Sequence, residues 1–163
     1  MPGEAMDTKH DHFMRQALTL ARQGVSMGHG GPFGAIVVVE GKIIGQGWNQ
    51  VVYRNDPTAH AEVLAIREAC AETGSFHLSN ATLYTTCEPC PMCMGAAYWA
   101  HIENLFYGAT GDDAASAGFD DSHIQDELRR PLKQRDIHVA QRLHKECRKL
   151  LQQWTISDHR IVY

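Results

Sequence analysis

Residues 82–93 have the sequence Thr82-Leu83-Tyr84-Thr85-Thr86-Cys87-Glu88-Pro89-Cys90-Pro91-Met92-Cys93, and this stretch indicates the fold. Its first residues favour a short strand that runs directly into a cysteine-rich loop, and Pro91 is typical of the first turn of a helix. The segment from Ile102 to Tyr107 favours a second strand. A strand, a helix and a strand in this order predict a right-handed crossover between two parallel strands.

The residues before this stretch contain signals for helices and for a hairpin. Apolar residues spaced by three and four predict an amphipathic helix over residues 10–25. The β-branched run from Phe33 to Val39 and the segment from Lys42 to Gly47 predict a β-hairpin. Asp56-Pro57-Thr58 is expected to supply the cap and the first-turn proline of a helix from Ala59 to Glu72.

The residues after the second strand are less regular. Residues 108–118 are small and polar, which predicts a loop or a short helix. The chain then becomes basic and helical as far as Trp154, with a short strand expected from Ile137 to Ala140. The whole pattern predicts an α/β fold, a three-layer α/β/α sandwich with one mixed, mostly five-stranded sheet.

Length and composition favour one globular domain over residues 1–163, because 44% of the 163 residues are hydrophobic. No apolar stretch is long enough to span a bilayer, and residues 1–7 have neither the basic nor the apolar segment of a signal peptide. The five cysteines are an odd number, which does not favour a disulfide framework. We therefore expect a cytoplasmic protein with no membrane partner.

The charge pattern weighs against nucleic acid as the main partner. The formal net charge is −4, whereas binding to phosphates favours a basic face. However, eight of the 15 cationic side chains lie within residues 129–149. We interpret these cations as a solvated helix face, with a strip that binds polynucleotides as the alternative.

The residues that carry chemistry are His60, Cys90 and Cys93, together with Glu62. One imidazole and two thiolates make three zinc ligands, which leave the fourth tetrahedral position open, as a catalytic zinc requires. Glu62 lies two residues from the imidazole and could transfer protons beside such an ion. His-x-Glu followed by Pro-Cys-x-x-Cys is a known signature of zinc-dependent nucleobase deaminases, and we apply it here as a pattern.

A closed structural zinc site is the alternative. Cys87, Cys90 and Cys93 form two overlapping Cys-x-x-Cys pairs, and with His60 they could fill all four positions of a zinc ion. Such a site gives no reason for Glu62 beside the histidine. Cys90 and Cys93 are also expected at a helix start, where the helix dipole stabilises thiolates. We therefore predict one catalytic zinc per chain, with Cys87 outside its ligand set.

Helix geometry restricts where His60 can lie. Residues two apart on a regular helix point about 200° away from each other, so His60 and Glu62 would not share a face. They can converge only if His60 lies at the end of its helix. Pro57-Thr58 is expected to place it there, which would bring two helix N-termini to one metal ion.

With these residues in place, the chain resembles the bacterial guanine deaminases of the cytidine and deoxycytidylate deaminase superfamily over nearly its whole length. Three stretches carry the likeness to the superfamily: residues 30–35, 55–62 and 87–93. More specific to guanine deaminases are Tyr98-Trp99-Ala100 and Ala117-Gly118-Phe119-Asp120-Asp121-Ser122, together with the final Tyr163.

The resemblance implies roles for residues around the substrate. It implies that Asn49 hydrogen-bonds the base, that Phe33 stacks on it, and that Ala61 belongs to the binding set. It further implies that Asp121 contacts the purine edge and assists catalysis by Glu62, and that Trp99 helps to shape the pocket.

The resemblance also implies an activity and an assembly. The activity is hydrolysis of guanine to xanthine and ammonia, with a small-molecule purine as the substrate. The assembly is a homodimer that exchanges the segment 137–163, so that Tyr163 closes the site of the partner. Two alternatives remain open: another deaminase of the superfamily, such as one that converts adenosine to inosine in tRNA, and a non-catalytic zinc module that binds nucleic acid.

Overall fold

The structure is a computed structural model, and it describes residues 2–163, with side chains from Thr8 onward. The chain divides into two units, Met1–Asp121 and Ser122–Tyr163. The interpretation of residues 1–7 as lacking a signal peptide concerns side chains outside the described residues. One domain over residues 1–163 stays a prediction.

The first unit contains a mixed β-sheet. Its strands are β1 (Gly34–Val39), β2 (Lys42–Trp48), β3 (Thr82–Cys87) and β4 (Asn104–Ala109). They lie side by side in the order β2-β1-β3-β4. β1 is antiparallel to both of its neighbours, and β3 is parallel to β4. The predicted hairpin and the predicted parallel crossover are both confirmed.

The prediction of a mostly five-stranded sheet is wrong by one strand. Among the described residues the sheet has four strands, and the segment from Ile137 to Ala140 is not one of them. A strand exists only where its backbone groups pair with those of a neighbouring strand. Since this segment pairs with none of the four, its β-branched residues do not by themselves produce a strand.

Helices cover both faces of the sheet. The first unit contains α1 (Pro2–Ser26), α2 (Val51–Arg54), α3 (Ala61–Thr73), α4 (Pro91–Trp99) and α5 (Gly111–Ser116). Successive residues of a strand point to opposite faces. Tyr84 accordingly packs with Phe13 of α1, whereas Leu83 packs with Ala65 of α3 and Ala97 of α4. The three-layer α/β/α arrangement is thereby confirmed.

The predicted cap of α3 is wrong. The Asp56 side chain accepts hydrogen bonds from the backbone N–H of Thr58 at 2.8 Å and from its hydroxyl at 2.7 Å. This local turn satisfies the Asp56 carboxylate before the helix begins. His60 is the N-cap residue instead, with extended backbone angles, and Ala61 is the first helical residue.

The second unit, Ser122–Tyr163, contains helices and turns. It contains α6 (Ser122–Arg129), a 3-10 turn at Leu132–Gln134 and α7 (His144–Thr155). The Glu127 carboxylate accepts hydrogen bonds from the Arg130 side chain and from the backbone N–H of Asp136, each at 2.6 Å. No helix in the described part of the chain has the length and apolar character needed to cross a membrane.

Candidate active site

Two helix starts supply the predicted zinc ligands. His60 is the N-cap of α3, Cys90 is the N-cap of α4, and Cys93 is a buried residue in the first turn of α4. Pro91 occupies the first turn of α4, where a missing backbone N–H carries no cost. The expectation that His60 lies at a helix end is therefore confirmed.

The spacing of these three side chains fits a zinc ion. Nδ1 of His60 lies 3.6 Å from Sγ of Cys90 and 3.5 Å from Sγ of Cys93. Tetrahedral zinc, with bonds of about 2.3 Å to sulfur and about 2.0 Å to nitrogen, separates such ligands by about 3.5 Å. All three ligand atoms lie within 4.8 Å of one another. The protein therefore holds these three ligand atoms at the spacing that tetrahedral zinc requires.

The pKa values of the Cys90 and Cys93 thiols are shifted in opposite directions. The contact between Cys90 and Cys93, together with the His60 ring, lowers the pKa of Cys90 to about 4. The same contact and burial raise the pKa of Cys93. One ligand is therefore already a thiolate at neutral pH, and binding of a metal ion has to displace a proton from the other.

Cys87 is the last residue of β3, and its side chain contacts the backbone of Thr110. Its thiol donates to the backbone carbonyl of Thr110 at 3.6 Å, and burial raises its pKa. Among the described side chains, the group that could hold a metal ion here contains His60, Cys90 and Cys93 but not Cys87. This arrangement supports an open site with three ligands over a closed site with four.

Glu62 lies in the first turn of α3 and is only 5% exposed. The hydroxyl of Thr85 donates to its Oε1 at 2.9 Å, and the thiol of Cys93 donates to its Oε2 at 3.3 Å. Burial raises the pKa of Glu62, the largest of several effects on this group. A buried carboxyl group with a raised pKa is suited to taking and returning a proton near neutral pH.

Asn49 lies just after β2 and is almost completely buried. Its Oδ1 accepts hydrogen bonds from the backbone N–H groups of Gly31 at 3.3 Å and Val51 at 3.2 Å. A Cβ atom on Gly30 would lie 2.0 Å from this oxygen, so only glycine allows the approach. With Oδ1 engaged, the amide NH2 group is the part of Asn49 that could contact a ligand.

Phe33 forms an aromatic pair that the sequence did not predict. Its ring meets that of Phe119 edge to face, with the centroids 4.9 Å apart. Gly31 lies against both rings, because a Cβ there would approach each within 3.0 Å. Phe119 lies within the motif typical of guanine deaminases, but the motif alone gave it no role. An aromatic residue in an otherwise small and polar segment was the available signal.

The four remaining residues that the sequence predicted for the site differ in how exposed they are. Asp121 is half-buried and lies two residues after Phe119. Ala61 has no exposed surface, and Trp99 is 66% exposed at the end of α4 about 12 Å from its ligand-bearing start. Tyr163 belongs to the second unit and is 70% exposed. Substrate contacts of these four residues stay predictions.

Comparison with known proteins places this site in a family. The model of the cytidine and deoxycytidylate deaminase zinc-binding region matches residues 7–109. Guanine deaminase of Bacillus subtilis (strain 168) is 54% identical over 132 residues, which cover 81% of this chain and 85% of that protein.

Solved structures agree with this placement. The crystal structure of guanine deaminase from Bacillus subtilis matches with a TM-score of 0.91 and 49% identity, and the match covers 94% of this chain and 98% of that one. A structure from studies of tRNA:A34 deaminases matches with a TM-score of 0.59 and 43% identity, over 61% of this chain and 76% of that one. The chain therefore belongs to the cytidine and deoxycytidylate deaminase family of zinc-dependent hydrolytic deaminases, in its guanine deaminase branch.

Proposed function

We propose that this enzyme hydrolyses guanine to xanthine and ammonia. The choice of guanine as the substrate depends on how much of the chain matches each kind of deaminase structure. The match to the guanine deaminase structure covers 94% of the chain, whereas the match to the tRNA deaminase structure covers 61%. The family region itself ends at residue 109, so the likeness to the guanine deaminase structure continues beyond the region that defines the family.

The reaction replaces the amino group of guanine with an oxygen atom from water. His60, Cys90 and Cys93 would hold a zinc ion, which would supply Lewis-acid activation of water at neutral pH. Glu62 takes a proton from the attacking water and delivers it to a ring nitrogen. It then takes the proton of the hydroxyl group now bound to the ring carbon and passes it to the amino group, so that the carbonyl forms as the C–N bond breaks and ammonia departs. The raised pKa of Glu62 suits a group that must alternate between both protonation states.

The proposed binding residues complement the polar edge of guanine. The NH2 group of Asn49 donates to an acceptor on the base, because its Oδ1 is held by backbone N–H groups. Phe33 packs against the ring face. The Asp121 carboxylate accepts from the N–H groups of the purine and assists Glu62. Ala61 and Trp99 belong to the proposed binding set because their motifs resemble those of guanine deaminases.

A panel of substrates tests the proposal. We expect ammonia release from guanine and little from adenine, cytosine, guanosine or a tRNA anticodon stem, measured at steady state with zinc-loaded protein.

Asp121→Ala should lower guanine turnover about 10²-fold, because it removes a hydrogen bond to a charged group that orients the base. Its zinc content and melting temperature should match those of the wild type. Normal guanine turnover by Asp121→Ala would contradict the proposed role of Asp121. Activity on tRNA without activity on guanine would contradict the proposed substrate.

We further propose a homodimer in which the segment 137–163 is exchanged. The second unit leaves apolar side chains exposed in the single chain, among them Leu150, Leu151 and Trp154 of α7 and the terminal Tyr163. Such side chains favour burial against another surface. In the proposed dimer, Tyr163 covers the site of the partner and excludes water from it.

Mixing of inactive variants tests the exchange. Deletion of residues 161–163 should lower kcat/KM by about 10-fold or more with zinc retained, because the lid is lost. Adding an inactive Glu62→Gln chain, which has an intact tail, should restore part of the activity. No recovery in a mixture that demonstrably contains heterodimers would mean that the tail acts within its own subunit or has no role.

We place the enzyme in the cytoplasm. All five cysteines are free thiols, and two of them are proposed zinc ligands that must stay reduced. Reduced thiols persist in the cytoplasm, whereas oxidising compartments favour disulfides. Recovery of the activity in a periplasmic or extracellular fraction would contradict this placement.

A further inference from the structure

Thr85 lies in β3 beneath the catalytic carboxylate. It has no exposed surface, and its strand neighbours are Ala35 of β1 and Tyr107 of β4. Side chains alternate along a strand, so Thr85 shares a face with Leu83, which packs against α3 and α4. A β-branched residue in a strand paired on both sides has little rotational freedom. The Thr85 hydroxyl therefore has a well-defined position.

The only acceptor that the hydroxyl is seen to contact among the described residues is Glu62, at 2.9 Å from Oε1. The other oxygen of Glu62 accepts from the Cys93 thiol. When Cys93 serves as a zinc ligand it is a thiolate and has no proton to donate. Thr85 then remains as the side chain that holds this carboxylate in a defined orientation.

We propose that Thr85 is a positioning residue that orients the carboxylate of Glu62 for proton transfer. The proposal rests on the proposed function, because it concerns the proton steps of deamination. Proton transfer requires the carboxylate within about 2.6–3.2 Å of its partner atoms. A displacement of about 1 Å can reduce a rate about 10²-fold. Thr85 would thus act on the rate of the chemical step rather than on binding of the base.

Thr86 provides a matched control on the same strand. It is also buried, and its hydroxyl accepts a hydrogen bond from the backbone N–H of Gly34 at 3.1 Å. Thr86 points to the opposite face from Thr85. Valine at either position keeps the shape of the side chain and removes one hydrogen bond from the interior. A loss of kcat that reflects only weakened packing should therefore appear in both the Thr85 and the Thr86 variant.

The experiment compares Thr85→Val, Thr85→Ser and Thr86→Val as zinc-loaded proteins. We expect Thr85→Val to lower kcat about 10–100-fold, with KM within about 3-fold of wild type and stoichiometric zinc. Thr85→Ser restores the hydroxyl and should recover most of kcat. Thr86→Val should keep kcat while its melting temperature falls. If Thr85→Val does not fold, Thr85→Ala replaces it.

A crystal structure of the zinc-loaded Thr85→Val protein, or of the Thr85→Ala protein in its place, supplies a readout that needs no substrate. We expect the Glu62 carboxylate to be rotated or to adopt several orientations. An unchanged carboxylate, equal kcat losses in Thr85→Val and Thr86→Val, or no recovery in Thr85→Ser would overturn the proposal. If wild-type protein is inert to guanine, the proposed function fails separately. The variants are then compared on the substrate that the panel identifies, and the structural test is unaffected.

Discussion

Replacement of Glu62 by glutamine should lower kcat by at least about 10²–10⁴-fold while one zinc per chain is retained. Glutamine has nearly the same size and can still accept from Thr85, whose hydroxyl lies 2.9 Å from Oε1. It cannot take a proton and return it. Because Glu62 is proposed to act in more than one proton transfer, we expect a loss toward the upper end of this range.

Steady-state kinetics and metal analysis of the same preparation check this expectation. Zinc content establishes that the ligand site is intact, and a melting curve establishes that the buried position tolerates the amide. Activity within a few-fold of wild type would show that another group transfers the protons. Loss of zinc from Glu62→Gln would instead show that the carboxylate helps to hold the site together.

Serine in place of Cys90 or Cys93 should remove most of the bound zinc and, with it, nearly all activity. Both sulfur atoms lie within 3.6 Å of His60 Nδ1, the spacing that tetrahedral zinc requires. Cys87→Ser should keep zinc close to one per chain, because the Cys87 thiol is directed to the carbonyl of Thr110. Cys87→Ser is thus the matched control for the two ligand variants.

Metal content after dialysis against a weak chelator distinguishes the possible sites. Loss from Cys90→Ser and Cys93→Ser alone agrees with three protein ligands and an open position. An equal loss from all three variants would indicate a closed site with four ligands, which would have no place for a reacting water. That outcome would contradict the catalytic assignment of the metal.

The ligand types and their local geometry were predictable because they depend on neighbours in the chain. A histidine can share a site with a glutamate two residues later only from a helix end, and His60 is the N-cap of α3. Pro91 marks the start of α4, and this start carries Cys90 and Cys93. The order of strand, helix and strand likewise predicted the parallel pairing of β3 and β4.

The two errors had different causes, one local and one in the tertiary structure. Asp56 has the chemistry of a helix cap, but the nearby Thr58 satisfies its carboxylate in a separate turn. The segment from Ile137 to Ala140 has β-branched residues, but it has no neighbouring strand among the four of the sheet. The first outcome depends on a contact between residues two apart, whereas the second depends on which strands the fold pairs.

Residue types and short spacings were sufficient to predict the zinc chemistry, the helix starts that carry the ligands and the α/β class. The surroundings of Glu62 could not be predicted in this way, because they form through tertiary packing. Thr85 lies 23 residues from Glu62 and Cys93 lies 31 residues from it, and the packing of α3 against β3 and α4 brings them together. Contacts of this kind depend on strand register and on helix packing, because a shift of one residue would turn Thr85 to the opposite face of the sheet.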